Sequence, residues 1–418
     1  MTQQWRPIEY VKEQSLFRNA SFLIMSTAIM SLLGFGFWLF VAHLYTPEQV
    51  GIASALIAIS TLLSSSSMFG LDSGLIRFLP RSLQPNRDIN AALLVVGALS
   101  VVATLAYVLL SLIFPTVALP LGGWETGAFA LVMVVVSLNS LTDSVFIANR
   151  RAEFHTIVYA VFGLIRLVVP ILLVGLGWLG IFTAYAVAAL VALLLSFLFM
   201  AKVTGYNWRT APDWRFIPRA RKYSFNNYVG TILGGVPAQI MPLIIIQQFG
   251  AAEAAYFSMA WTMANLLYVA PSSVAQSLLA ESSHQPEQKS VHAKHAVKIL
   301  SVMLVPAVAL AVLVAPYLLT IFGPQYAQGG TVIFQLLALA TFFVAVASVC
   351  NTVLNVEHRT SGIVLARLVN LVVTLGLTPL LLPMGLTGIG IAMLLGFAAS
   401  NVVYLFLFLP GRRVKQPA

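Results

Sequence analysis

The sequence predicts an all-α polytopic membrane protein with twelve transmembrane helices in two pseudo-symmetric six-helix lobes. Three observations carry that expectation. Twelve apolar segments, each near the twenty residues that span a bilayer core, run from Phe17 to Leu409. Lys and Arg fall in every second connection, from Arg6, Lys12 and Arg18, through Arg77, Arg81 and Arg87, to Arg359, Arg412, Arg413 and Lys415. The connections around Thr46, Pro120, Gly177, Gly250, Gly329 and Met384 contain neither. By the positive-inside rule this alternation places both termini on the cytoplasmic side. The two halves of the chain also echo one another, as set out below.

Composition agrees, since 59% hydrophobic and 9% charged residues leave no soluble fold that hides so much apolar surface. The net charge of +10 is therefore read as topology and contact with membrane lipids rather than as affinity for nucleic acid. Short alternating strands, the mark of a transmembrane barrel, are missing from the pattern. The single cysteine, Cys350, lies in an apolar segment and excludes a disulfide or a thiolate metal cluster. Residues 1–16 are polar and carry no cleavable signal pattern, so the first span is expected to stay as an anchor.

The first lobe, residues 1–201, is expected to span at 20–42, 50–71, 90–114, 126–148, 157–176 and 179–201. The second, residues 224–418, is expected to span at 224–247, 253–280, 293–322, 331–356, 361–382 and 385–409. Between them, residues 202–223 combine Lys202, Arg209, Arg215, Arg219, Arg221 and Lys222 with Trp208, Trp214, Pro212 and Pro218. Tryptophan with Lys and Arg favours the headgroup layer, so this linker is expected to lie on the inner surface, as an anchored tether or a lever between lobes. Pro237, Pro242, Pro271, Pro306 and Pro316 interrupt the seventh to ninth spans and mark kinks.

The internal echoes fall in the same order in each half. Leu44-Tyr45-Thr46-Pro47-Glu48 precedes the second span and Phe249-Gly250-Ala251-Ala252-Glu253 the eighth. Leu112-Ile113-Phe114-Pro115 closes the third span and Thr320-Ile321-Phe322-Gly323-Pro324 the ninth. Arg166-Leu167-Val168-Val169 is echoed by Asn370-Leu371-Val372-Val373. An even number of spans per repeat makes the repeats parallel, an architecture of transporters.

Arg166 and Arg367 are the basic residues well inside apolar segments. Arg166 lies about 15 Å into its span and Arg367 about 9 Å into the matching span of the other half. An arginine at the centre of a span costs ~2.5–3.5 kcal/mol, so it should face a cavity or a partner. Two planar guanidiniums suit a pyrophosphate, whose oxygens each can hold as a fork. Pairing of Arg166 with Asp143 on the preceding helix satisfies the same burial penalty, and both roles stand open at this stage. Arg77 and Arg18 lie at basic helix ends, where they can meet an anionic headgroup or simply set topology. Uncharged polar residues within spans, Ser64 to Ser67, Asn139, Thr142, Gln239, Asn351, Asn355 and Asn370, suit either a sugar-binding cleft or interhelical hydrogen bonds. His284, His292 and His295 have no nearby cysteine or paired carboxylates, which argues against a metal.

Phe17-Arg18-Asn19-Ala20, Leu44 to Gly51, the run Gly70-Leu71-Asp72-Ser73-Gly74-Leu75-Ile76-Arg77-Phe78-Leu79-Pro80, and Ile321-Phe322-Gly323-Pro324-Gln325-Tyr326 resemble the polysaccharide-export flippases. That family belongs to the multidrug/oligosaccharidyl-lipid/polysaccharide (MOP) exporter superfamily, and the resemblance covers essentially the full length. It implies a MATE-like fold, a non-enzymatic transporter of the bacterial inner membrane, and alternating-access flipping of undecaprenyl-pyrophosphate-linked oligosaccharide for O-antigen or another surface polysaccharide. Arg166, Arg367, Arg77 and Arg18 are then candidates for the anionic substrate, Asp143 for pairing or ion coupling, and Asn139, Gln239, Asn351 and Asn370 for the cavity wall. No cofactor is expected beyond coupling to a proton or sodium gradient, and a polysaccharide polymerase and chain-length proteins are the implied partners. No P-loop is present, so no internal ATPase drives the cycle. A cation antiporter on the same fold is the runner-up; that branch carries an acidic residue in the first span, and here there is none. A polymerase or ligase comes third, because no large outer loop is present.

Overall fold

A computed structural model describes residues 6–113, 122–284, 289–357 and 359–408. Among the described residues there is no strand, and the long apolar segments are all helical. Twelve of the fourteen α-helices there have 21 to 39 residues, enough to cross a bilayer. In order they are α1 (Arg6–Leu44), α2 (Pro47–Ser67), the short α3 (Leu71–Phe78), α4 (Pro85–Ile113), α5 (Gly123–Ala148), α6 (Ala152–Leu172), α7 (Trp178–Thr204), α8 (Phe216–Phe249), α9 (Ala251–His284), α10 (Lys289–Leu313), the short α11 (Ala315–Thr320), α12 (Pro324–Val356), α13 (Thr360–Leu381) and α14 (Gly385–Phe408). The ninth predicted span is broken: α10 stops at Leu313 and Pro316 sits in the first turn of α11, where its missing N–H is harmless. The residues Phe114 and Pro115 of one echo lie outside the described residues.

The long helices are inverted relative to a soluble fold. On α4, Val96, Ser100, Thr104 and Tyr107 are buried, while Leu94, Val101, Val102, Leu105, Leu109 and Leu112 are exposed. Small and hydroxylated side chains thus make the helix–helix seam, and large apolar ones form the outer row that only lipid can cover. Ser100 and Thr104 return their hydroxyls to the carbonyls of Gly97 and Ser100, so neither needs water.

The chain divides into two compact units, Met1–Tyr45 with Leu56–Tyr228, and Thr46–Ala55 with Val229–Ala418. This differs from a cut at the 202–223 linker, for identifiable reasons. Ala220 at the start of α8 packs so closely on α3 that a Cβ on Gly74 would lie 2.5 Å from its own. Tyr228 of α8 donates to the Ser66 carbonyl at 2.5 Å. The first eight residues of α8 that the sequence assigns to the linker therefore belong, as helix, to the first unit. The start of α2 goes with the second unit, where Ser258 Oγ donates to Ser54 Oγ at 2.9 Å.

In the first unit α1 packs on α6, α6 on α7, α5 on α7 and α4 on α5. Glycines set the α1–α6 approach: a Cβ on Gly163 would reach within 2.5 Å of Leu33, and one on Gly34 within 3.2 Å of the Arg166 guanidinium. The linker is held fast to this unit. Asn90 Nδ2 donates to the carbonyls of Asn207, Trp208 and Thr210, its Oδ1 accepts from Tyr206 at 2.6 Å, and Asp213 N donates to the Arg87 carbonyl. Of the two roles the sequence left to the linker, this geometry fits the anchored tether. In the second unit α12 packs on α9, α10 and α14, and α13 on α14.

The repeat is visible in backbone detail. The turn after α6 ends on Gly177 (φ 58°) and that after α13 on Gly385 (φ 62°). Three residues later Gly180 and Gly388 each press against a carbonyl, of Leu173 and Leu381 respectively. The preceding turns match as well, with Arg151 N donating to the Phe146 carbonyl and Arg359 N to that of Leu354. Each of these pairs is separated by 208 positions. The echo of Arg166 with Asn370 is thus one helical turn out of register: the position matching Arg166 is Thr374, and Arg367 matches Tyr159.

Candidate functional site

Inside the first unit is a cavity of about 270 Å³ whose wall comes from five helices. Ile57, Thr61, Ser64 and Ser65 come from α2, Val136, Asn139 and Ser140 from α5, and Tyr159, Phe162 and Arg166 from α6, with Met30, Tyr185 and Ala189 closing it. Tyr159, Phe162 and Arg166 share one face because they are three and four residues apart on a helix. Pro170 has no N–H to give to the Arg166 carbonyl, so the α6 ladder is open beside this arginine. The Pro170 carbonyl in turn accepts from Tyr45 Oη at 2.6 Å.

Arg166 is held by faces rather than by a counter-charge. Its Cζ lies 4.6 Å from the centroid of Phe37 and 5.3 Å from that of Phe162, distances at which an aromatic quadrupole attracts a cation. Its Nε is buried with no hydrogen-bond partner. Asp143 is 7% exposed and accepts from Tyr159 Oη at 2.9 Å through Oδ2, while its Oδ1 has no partner. No ion pair joins Arg166 to Asp143, and Arg166 lines the cavity. Behind Tyr159 stands His155, with ring centroids 4.3 Å apart, buried and with its Nδ1 unpartnered. Among the described residues, no carboxylate lines the cavity.

The other residues singled out from the sequence separate into groups. Asn139 and Ser64 share the cavity with Arg166, and Asn139 Oδ1 is buried and unpartnered. Ser66, Ser67 and Thr142 spend their hydroxyls on the carbonyls of Leu62, Leu63 and Asn139. In the second unit Arg367 lies along α8, where a Cβ on Gly234 would come within 3.2 Å of its Nε and 3.1 Å of its Cδ. Asn351 accepts from Tyr404 Oη at 2.6 Å, as Asp143, its match in the repeat, accepts from Tyr159. Asn370 is buried on α13, and Gln239 of α8 has a buried, unpartnered Oε1. Arg77 is exposed at the end of α3 and stacks on Tyr223, 3.9 Å from the ring centroid. Arg18 is on α1 with its side chain outside the described residues, as are the side chains of His284, His292 and His295. Sequence reasoning missed Phe37, Tyr159, Phe162 and Tyr185. The i, i+3, i+7 spacing of Tyr159, Phe162 and Arg166 is a signal that was available; the meeting with α1 and α7 was not.

These features define a multi-pass α-helical membrane protein with a cavity whose mainly apolar wall carries a few hydroxyl and amide groups and one guanidinium. Its fold is similar to that of a multidrug resistance MATE family transporter of the MOP superfamily in an inward-facing conformation, at 15% identity over 92% of this chain and 96% of that one, TM-score 0.73. It is similar also to the lipid II flippase MurJ in an inward closed conformation, at 13% identity over 93% and 87% of the two chains, TM-score 0.75. No curated protein matches the sequence. Residues 40–330 match the family of polysaccharide biosynthesis proteins, and the chain belongs to that family. The chain is thus a membrane protein of the polysaccharide biosynthesis family with a MATE-like fold.

Proposed function

We propose that this protein flips an anionic lipid-linked oligosaccharide, an undecaprenyl-pyrophosphate sugar, across the bacterial inner membrane by alternating access, for assembly of a surface polysaccharide. The observation that carries the reading is Arg166: a guanidinium without a counter-ion, within cation–π distance of Phe37 and Phe162 and lining a cavity that also holds Thr61, Ser64 and Asn139. A fork of N–H donors suits phosphate oxygens, and Ser64, Thr61 and Asn139 suit sugar hydroxyls. Membership of the polysaccharide biosynthesis family supports the same substrate class. A cationic drug would meet Arg166 as a like charge with no lining carboxylate to offset it, which weighs against the antiporter.

In this reading Arg367, Arg77 and Arg18 serve the anionic head at other stages of passage, with Gln239, Asn351 and Asn370 as polar wall in the second six-helix half. Asp143, set behind Tyr159, serves ion coupling to a proton or sodium gradient. Both termini face the cytoplasm, and a polymerase with its chain-length proteins takes the product on the far side. The test is loss of the gene. One surface polysaccharide should disappear while its lipid-linked precursor accumulates on the inner leaflet. Unchanged polysaccharide with hypersensitivity to cationic dyes would establish the antiporter instead.

A further inference from the structure

At the arginine-rich end of the first unit, away from the cavity of Arg166, lies a second and larger cleft of about 720 Å³. One wall is the turn after α3 and the start of α4, with Arg81, Leu83 and Arg87; the other is the end of the linker and the start of α8, with Trp214, Arg215 and Arg219. It shares no lining residue with the cavity of Arg166.

Four guanidiniums meet two carboxylates here, an excess of positive charge even though Asp88 lies within electrostatic reach of Arg219 and Arg87. Asp88 accepts from Ser82 Oγ at 2.6 Å and Asp213 from the Arg215 backbone N–H at 3.0 Å. Among the described residues no ion pair ties any of the four arginines to a carboxylate. Arg87 forms the fixed floor, donating from Nε to the Ala211 carbonyl at 3.0 Å and from Nη1 to Gln84 at 2.8 Å. Arg81, Arg215 and Arg219 are exposed around it. The rim is apolar where water would disfavour it: Leu83 is 98% exposed and Trp214 56%. Tryptophan and leucine stand out like this at the level of lipid headgroups, where ring and chain enter the acyl boundary.

From this juxtaposition we infer that the cleft is a binding site for the phosphate of an anionic phospholipid in the leaflet it faces. The guanidiniums take the phosphate oxygens as forks, and Leu83 and Trp214 take the glycerol and upper acyl carbons. A soluble phosphate compound would use the arginines and leave the apolar rim idle, so the proposal commits to lipid. Because Arg87 and Asp213 also carry the hydrogen bond that fastens the linker to α4, a lipid seated there braces that junction.

The test uses the full chain in a neutral detergent, titrated with phosphatidylglycerol and, separately, phosphatidylcholine, with bound lipid counted by native mass spectrometry. The unmodified protein should retain one phosphatidylglycerol that phosphatidylcholine does not replace. Changing Arg81, Arg215 and Arg219 together to Gln should weaken that binding roughly tenfold or more, given the size of surface lipid–arginine attraction. A control with Lys202, Arg209 and Lys222 changed to Gln removes the same charge outside the cleft and should bind as the parent does. Should the triple variant fold poorly, Arg81→Gln and Arg219→Gln singly, each exposed, must each lower retention. Equal loss in the cleft and control variants would mean diffuse surface charge and overturn the site. Tighter binding of inorganic pyrophosphate than of phosphatidylglycerol would overturn the lipid assignment.

Discussion

At the scale of single residues, the decisive group is Arg166. A cation buried within a membrane helix needs a carboxylate, polar groups or an aromatic face, and here it has two aromatic faces and a cavity with a few hydroxyl and amide groups. Asp143 takes a hydrogen bond from Tyr159 instead, so the two charges are energetically separate. Arg166→Gln should therefore abolish export while the protein remains at normal abundance in the membrane. Asp143→Asn keeps an acceptor for Tyr159 and should leave abundance unchanged. The double variant should behave as Arg166→Gln alone, with a coupling in thermal stability under about 0.5 kcal/mol, as for residues that share no contact. Recovery of export or abundance in the double variant would reveal a pair that forms in another state of the cycle. Arg166→Lys should also lose most activity, because an ammonium keeps the charge but not the planar fork of donors.

At the scale of elements, the two copies of the Gly-x-x-Gly turn carry the repeat. Gly177 and Gly385 hold positive φ with ψ of −139° and −145°, a region closed to residues with a Cβ. Gly180 and Gly388 then let α7 and α14 pass against the carbonyl end of the helix before. Gly180→Val and Gly388→Val should each destabilise the protein by about 2–3 kcal/mol or more, because backbone on the other side cannot yield. The measurement is the melting temperature in detergent, and the two substitutions should give similar losses since the turns are equivalent. Gly376, with open space around its Cα, is the control: Gly376→Ala in the middle of α13 should be neutral or slightly stabilising. The run Gly70 to Gly74 has the same kind of explanation. Gly70 holds φ 80° against Ser224 and Tyr228, and Gly74 admits Ala220, so the motif docks the start of α8.

At the scale of the whole molecule, the governing term is the bilayer. Exposed rows such as Leu105, Leu109 and Leu112 on α4, and Leu32, Leu131, Leu172 and Leu313 elsewhere, have no place in water and ask for hydrocarbon on the outside. The charge alternation predicts which side of the membrane each connection faces. Single cysteines at Gly122 and Gln328 should react with an impermeant thiol reagent applied outside intact cells, whereas one at Gln285 should react only after permeabilisation. The reverse pattern would invert the orientation. Cys350, intermediate in exposure on α12, is best replaced by Ala beforehand so that each label reports one site.

The sequence by itself determined the class and the order of the long apolar elements. Among the described residues each of the twelve apolar runs is helical, the ninth divided between α10 and α11 and α1 and α8 beginning well before the expected bounds, because hydrocarbon leaves the backbone only one way to satisfy its own N–H and C=O groups within a span. The family resemblance was legible for the same local reason, since it depends on residues close in the chain. Which polar side chains meet was settled by tertiary structure alone. Arg166 finds Phe37 from α1, Ser64 from α2 and Asn139 from α5, and bypasses Asp143, which a helix-depth argument had put within reach. Depth along a helix follows from counting residues, but the rotation of each helix about its axis depends on where glycines such as Gly34 and Gly163 let neighbours approach. The same limit explains the register of the repeat. An apolar echo like Leu-Val-Val fits equally well one turn up or down a lipid-facing helix, and only the positive-φ glycines and their matched hydrogen bonds pin the offset, making Thr374 rather than Asn370 or Arg367 the counterpart of Arg166 in the repeat.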